Sequence, residues 1–369
     1  MTGRERSPRP TQDLSTRTSA LIGEGSLEFM KFKYAPVVVL LALLFSLSAP
    51  SASSFYEGRI LKVVTGGSIG AGYDAQTRIV AAHIGRHIPG NPSVIVQNMP
   101  TGSGIASVNH TYARAARDGT EIGQFNRDAM LARLLGHQQA LFDLEEFHWL
   151  GSPASYSDSA WVVVLRSDLP HLTLDDLRKS EKPVIMGNVR SVLIPVLRNV
   201  LGANIKIIEG YEGRQMHLAF ERGEIDGMGA GYDTLTRDRP DWITDKKLSF
   251  IVQYGSGKRI KQLPDVPTAG ESARSEVDRD LVEFCELSLT LGFPFAAPPG
   301  VPQDRVDILR KAFESTFKDV EYISAAERAG LETTPRSGEA LAAAIRRAAR
   351  TPPALIERYK QIAAGGRAN

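Results

Sequence analysis

Cysteine is almost absent from this 369-residue chain, which has one thiol, Cys285. A lone cysteine excludes an internal disulfide, so stability must come from packed cores. It lies in the apolar stretch 281–291, where a buried, inert thiol is expected. An excess of either charge is absent too, with 44 basic against 42 acidic residues and no long block of one sign. Nucleic acid, which requires a dense basic face, is therefore not an expected partner. The sequence also has no G-x-S-x-G elbow, no P-loop and no H-E-x-x-H. His83 and His87 stand four apart on a predicted helix, but no third ligand lies near them, so no metal is expected. Glu145 and Glu146 read as solvated charges. No nucleophile, metal set or acid/base pair emerges, so neither an enzymatic activity nor a cofactor is expected.

No apolar run reaches the roughly 20 residues that a membrane helix needs. The longest near the N-terminus, 35–47, follows Lys31 and Lys33 and precedes small residues at 49–54, the layout of a secretory signal peptide. Residues 30–54 are thus expected to be a cleaved leader, with an uncleaved anchor as the alternative, and the polar stretch 1–29 an extension ahead of a start at Met30. Removing 1–54 takes six basic and four acidic residues and leaves 38 of each. No lipobox cysteine follows, so a soluble periplasmic protein of a Gram-negative bacterium is expected, acting as a monomer.

The length and the 42% hydrophobic content allow two cores. Short β-rich runs alternate with helical patterns from 59 to about 260, which predicts βαβ units. Strands are expected at 60–64, 94–97, 121–125, 161–165, 184–186, 205–208, 225–229 and 248–253. Helices are expected at 74–87, 107–116, 175–180, 192–201 and 214–222. After 298 the pattern is helical, with Val306, Leu309, Phe313 and Phe317 on one face and Ser337 as N-cap of a further helix. The predicted fold is α/β with two lobes of the periplasmic-binding-protein type, each a mostly parallel sheet flanked by helices. Residues 55–160 with 254–369 form lobe 1, and 161–253 form an inserted lobe 2.

In open α/β sheets, ligands bind beyond the carboxyl ends of strands, at loops leading into helices. The first such loop carries Ser68, Gly70, Ala71, Gly72, Tyr73 and Asp74. Its glycines let backbone approach a ligand, and the following helix N-terminus favours an anion. Asp74 reads either as N-cap of that helix or as a ligand contact. In lobe 2 the matching loop has Asn188, Arg190 and Ser191, where Arg190 reads either as a bidentate clamp for a carboxylate or as a solvated charge at a helix start. Asn126, Tyr211, Tyr232 and Asp233 occupy the remaining loops, the tyrosines as stacking or packing residues.

Seven segments in order carry a family resemblance. They are the Gly-rich loop at 63–74, the segment Gln97-Asn98-Met99-Pro100-Thr101-Gly102-Ser103-Gly104, and Arg117-Asp118-Gly119 after an alanine-rich helix. Tyr211-Glu212-Gly213, Gly223-Glu224-Ile225-Asp226-Gly227, Leu263-Pro264-Asp265-Val266-Pro267-Thr268 and Ala297-Pro298-Pro299-Gly300-Val301-Pro302 follow. Together they resemble the periplasmic receptors of tripartite tricarboxylate transporters, the TctC or Bug family. That resemblance implies a Venus-flytrap fold, delivery of ligand to membrane permease subunits, and a small organic acid as ligand: a di- or tricarboxylate, amino acid or aromatic acid. Members usually carry a longer glycine- and serine-rich segment where this chain has Gly187-Asn188-Val189-Arg190-Ser191, so a direct ion pair from Arg190 is expected here. A sensor or co-receptor for a signalling partner stays open as the alternative role.

Overall fold

The computed structural model describes residues 55–365, apart from 157–158, 171–172, 189–190, 212–213 and 256. The expected extension at 1–29 and leader at 30–54 lie outside the described residues. No helix among the described residues is long and apolar enough to cross a membrane.

The strands are β1 (Ile60–Thr65), β2 (Ser93–Asn98), β3 (Glu121–Gln124), β4 (His148–Ser152), β5 (Trp161–Arg166), β6 (Val184–Asn188), β7 (Ile205–Glu209), β8 (Gly227–Gly231), β9 (Leu248–Tyr254), β10 (Phe295–Ala297) and β11 (Arg336–Ser337). The helices are α1 (Gly72–Ile84), α2 (Ile105–Ala113), α3 (Arg127–Leu134), α4 (Leu174–Lys179), α5 (Leu193–Asn199), α6 (Arg214–Glu221), α7 (Tyr232–Asp238), α8 (Pro240–Thr244), α9 (Glu276–Leu291), α10 (Gln303–Phe317), α11 (Val320–Arg328), α12 (Gly338–Ala349) and α13 (Pro353–Ala363). Two sheets result, ordered β11-β4-β10-β3-β1-β2 and β7-β6-β8-β5-β9.

Both sheets are mixed, which corrects the expectation of mostly parallel ones. β1 pairs in parallel with β2 and β3, but β10 runs antiparallel between β3 and β4. In the second sheet β6 is parallel to β7 and β8, while β5 is antiparallel to β8 and β9. The parallel parts are the βαβ units read from the sequence. The antiparallel parts form where the chain re-enters a sheet from its other end, as β10 does after α9.

Each sheet is covered on both faces. On β5, Val163 and Leu165 join a core with α5, α9 and α13, whereas Val162 and Val164 face Met216, Phe220 and Trp242. This alternation is the period of two that a strand imposes on its side chains. In the first sheet Leu61 and Val63 pack with α10, and Phe125, Trp149 and Ala296 pack with α12. Ser337 caps α12 by accepting a bond from the Ala340 N–H at 3.3 Å. Val306, Leu309 and Phe313 are buried on the inner face of α10.

α9 joins the two cores. Leu281, Val282, Phe284, Cys285 and Leu289 pack with the second sheet, and Leu287 and Leu291 pack with the first. Leu355, Tyr359 and Ile362 of α13 also pack with the second sheet, so the C-terminal helices divide between the cores.

Candidate functional site

The carboxyl ends of β1, β2 and β3 carry three loops, and a buried polar network fixes them. The Thr65 hydroxyl donates to Gln124 Oε1 at 2.6 Å and accepts from the Gly67 N–H at 3.1 Å. A Cβ at Gly66 would lie 2.8 Å from Ser107 Oγ, so only glycine lets the first loop settle on α2. Asn126 then ties two loops together, donating from Nδ2 to the carbonyls of Gly66 at 3.2 Å and Ser103 at 3.1 Å. Its Oδ1 is buried without a partner.

Asp74 is neither an N-cap nor a free acceptor. Ala71 occupies the N-cap position, and Asp74 sits in the first turn with its carboxylate turned back into the protein. It accepts from the Gly70 N–H at 2.9 Å, Arg78 Nε at 2.9 Å and Asn98 Nδ2 at 2.8 Å. Burial alone would raise its pKa, but the hydrogen bonds from Arg78, Asn98 and Gly70 outweigh this and hold it at about 2. Asp74 therefore staples the loop that was expected to bind. Ser68, Gly70, Ala71 and Gly72 are exposed at that loop's tip. Tyr73 packs on Phe293 with ring centroids 5.0 Å apart, and its hydroxyl accepts the Arg127 N–H at 3.3 Å.

A cavity of about 850 Å³ opens between the start of α3 and the second sheet. Its walls include Arg127 and Asp128 from α3, Trp161 from β5, Asn188 and Glu209 at the carboxyl ends of β6 and β7, and Ser288 from α9. Such a size is ordinary for a small-molecule site. Arg127 is the one cationic side chain lining it among the described residues. The guanidinium is half-buried and makes no hydrogen bond or ion pair among the described residues, although it carries five donors. An unpaired guanidinium at a helix N-terminus, facing a cavity, is chemically a carboxylate receptor.

The cavity thus brings together Arg127, beside the expected Asn126, with the expected Asn188 and Ser191. The expected Ser68, Gly70, Ala71, Gly72 and Tyr73 do not line its wall. Asn188 is nearly fully buried and spends its side chain locally. Its Oδ1 accepts from the Ser191 N–H at 3.1 Å, and Nδ2 donates to Ser191 O and Glu209 Oε1, each at 2.9 Å. Asn188 shapes the loop and offers little to a ligand. Arg190 lies outside the described residues.

Tyr211 and Tyr232 serve packing. Tyr211 stands against Gly187 and borders a separate hollow of about 320 Å³ behind β7. Tyr232 packs on Phe250 with centroids 6.0 Å apart. Asp233 lies in the first turn of α7, beside the place where the two sheets' loops touch. There the Thr234 hydroxyl donates to Glu332 Oε1 at 3.3 Å, and Gln76 Nε2 donates to the Glu332 carbonyl at 3.1 Å. Burial and the Asp233 charge raise the Glu332 pKa.

Trp161 and Gly229, which the sequence reading did not single out, form one cavity wall. A Cβ at Gly229 would lie 1.8 Å from Trp161 Cη2, so the indole lies directly on the glycine backbone. His83 and His87 do not form a metal pair. His87 Nε2 meets Asp319 Oδ2, at the N-cap of α11, at 2.8 Å, and His83 Nδ1 meets the nearby Arg86 Nη2 at 2.9 Å. Among the described residues no cluster of three metal-ligating side chains occurs.

No family model and no curated protein sequence matches the chain. Solved structures do. A TctC solute-binding protein from Polaromonas, without ligand, superposes with a TM-score of 0.65 at 19% identity, covering 84% of this chain and all of that one. The periplasmic binding protein BugD superposes with a TM-score of 0.51 at 21% identity, covering 83% of this chain and 98% of its own. With its two mixed sheets, flanking helices and a cavity between them, this chain has the two-lobed α/β fold of the TctC and Bug solute-binding proteins.

Proposed function

We propose that the protein is a periplasmic solute-binding receptor that captures a small carboxylate-bearing molecule between its lobes and delivers it to a membrane permease of the tripartite tricarboxylate type. It binds without chemistry, as a monomer. The observation that carries this is the unpaired Arg127 guanidinium on the wall of the 850 Å³ cavity. A bidentate Arg–carboxylate pair in a closing, desolvated cleft supplies both affinity and orientation. Trp161 covers the ligand's apolar part, and the contact between Thr234 and Glu332 joins the two sides of the cleft. Arg190, between Asn188 and Ser191 in the chain, is the second cation of this proposal and meets a further carboxylate.

A thermal-shift screen of small mono-, di- and tricarboxylates tests it. A ligand at about 100 times its dissociation constant adds about 2.7 kcal/mol of stability. The expected result is a raised melting point with one acid group of the panel and no rise in Arg127→Ala. No shift with any carboxylate, or equal shifts in both proteins, overturns the proposal. Uptake of the identified acid by cells with and without the gene then tests delivery.

A further inference from the structure

On the face of α9 opposite the cleft lies a second cavity, of about 710 Å³, whose lining shares no residue with the first. Its floor is a carboxyl group. Glu286 is 5% exposed and accepts one hydrogen bond, from the Gly255 N–H at 3.1 Å. Among the described residues no cation neutralises it, although Arg279, Arg336, Arg347 and Arg350 line the same cavity. Arg347 is turned to Glu283 at 2.9 Å, and Arg336 donates to the Thr290 carbonyl at 2.8 Å. Burial, with the neighbouring Glu283 charge, pushes Glu286 up to about 8 against the opposing Gly255 bond.

A buried carboxyl with one bond and no counter-charge is costly, and a cationic donor facing it removes that cost. Above the floor the wall is apolar, with Val282, Leu287, Ala348 and Leu355. At the rim Arg279 and Arg350 are exposed, and neither makes an ion pair among the described residues. From the buried Glu286 outward the cavity thus passes apolar side chains to a rim where Arg279 and Arg350 stand among the exposed Glu271, Asp280 and Glu283.

We propose that this cavity is a second small-molecule site, for an aliphatic amino acid whose ammonium meets Glu286 and whose carboxylate meets the rim arginines. The ligand is read with its charges at opposite ends and a hydrocarbon stem between them. The site adjoins Gly255, where the chain leaves β9, so its occupant touches a crossing between the sheets.

The probe is 6-aminohexanoate, with hexanoate as the partner lacking the cation, measured by titration calorimetry on the full chain. Saturable binding of 6-aminohexanoate is expected, with hexanoate at least tenfold weaker. Glu286→Gln keeps the volume and the acceptor for Gly255, and is expected to lose tenfold or more in affinity while unfolding at an unchanged or higher temperature. Arg127→Ala, which alters only the cleft, is expected to bind the probe as the wild type does. Ionising Glu286 to receive an ammonium releases a proton, so affinity should rise as pH approaches about 8 and level off above it. The other titratable and charged groups facing the cavity are Glu271, Asp280 and Glu283, with Arg279, Arg336, Arg347 and Arg350. Absence of binding, equal binding by Glu286→Gln, or loss in Arg127→Ala overturns the proposal.

Discussion

Arg127→Ala has opposite expected effects on binding and on stability, and the pair of signs is the test. In the ligand-free protein the guanidinium makes no ion pair or hydrogen bond among the described residues, and it sits at the N-terminal end of α3. A cation there opposes the helix dipole by about 0.3–1 kcal/mol at an exposed site. Removing it should leave unfolding free energy unchanged or raise it by up to about that amount. With ligand, the same change removes one partner of a desolvated pair, which costs about 2–5 kcal/mol. At about 1.4 kcal/mol per tenfold, this means a loss of affinity from roughly 30-fold to a few thousandfold. Urea unfolding of both apo proteins and calorimetry with the acid found by thermal shift measure the two quantities. Arg127→Lys keeps the charge but not the fork, and should fall between wild type and alanine in affinity. If the apo variant is destabilised by more than about 1 kcal/mol, Arg127 is a structural residue and the reasoning is refuted.

Three further outcomes follow from the geometry. Asp74 lies at about 2 against an ordinary 3.8, a difference that corresponds to about 2 kcal/mol of stability, present above pH 4 and lost as pH falls through 2. Unfolding free energies of wild type and Asp74→Asn from urea titration should differ by this amount at pH 7 and converge toward pH 2. Gly229→Ala places a methyl on the Trp161 ring and should cost about 1–3 kcal/mol of stability, with weaker cleft binding in the same calorimetric assay. Cys285 is buried and its thiol pKa is pushed well up by burial, so a disulfide-exchange reagent should label it only under unfolding conditions.

The parallel βαβ units were legible because short β-rich runs alternate with helical patterns, and β5 and β9 were read almost to the residue. β10 was not, since three residues are too few to show a period of two, and its pairing depends on β3 and β4 more than 140 residues upstream. α9 showed only its apolar half in the sequence, because it buries side chains against both cores and lacks one polar face. The sequence reading pointed to the loop at Asn126, and the residue that faces the cavity is its neighbour Arg127. A charge beginning a helix reads as solvent-facing until tertiary structure closes a wall over it. The inward turn of Asp74 was hidden for a similar reason: its partners Gly70, Arg78 and Asn98 are visible only once β2 lies beside β1.

The position of Trp161 has a practical consequence. The chain has three tryptophans, and Trp149 and Trp242 are each only 1% exposed, inside cores that a ligand does not reach. Trp161 alone borders the cleft cavity. Changes in indole emission on titration therefore report events at a single place, giving a built-in optical gauge of occupancy that needs no label.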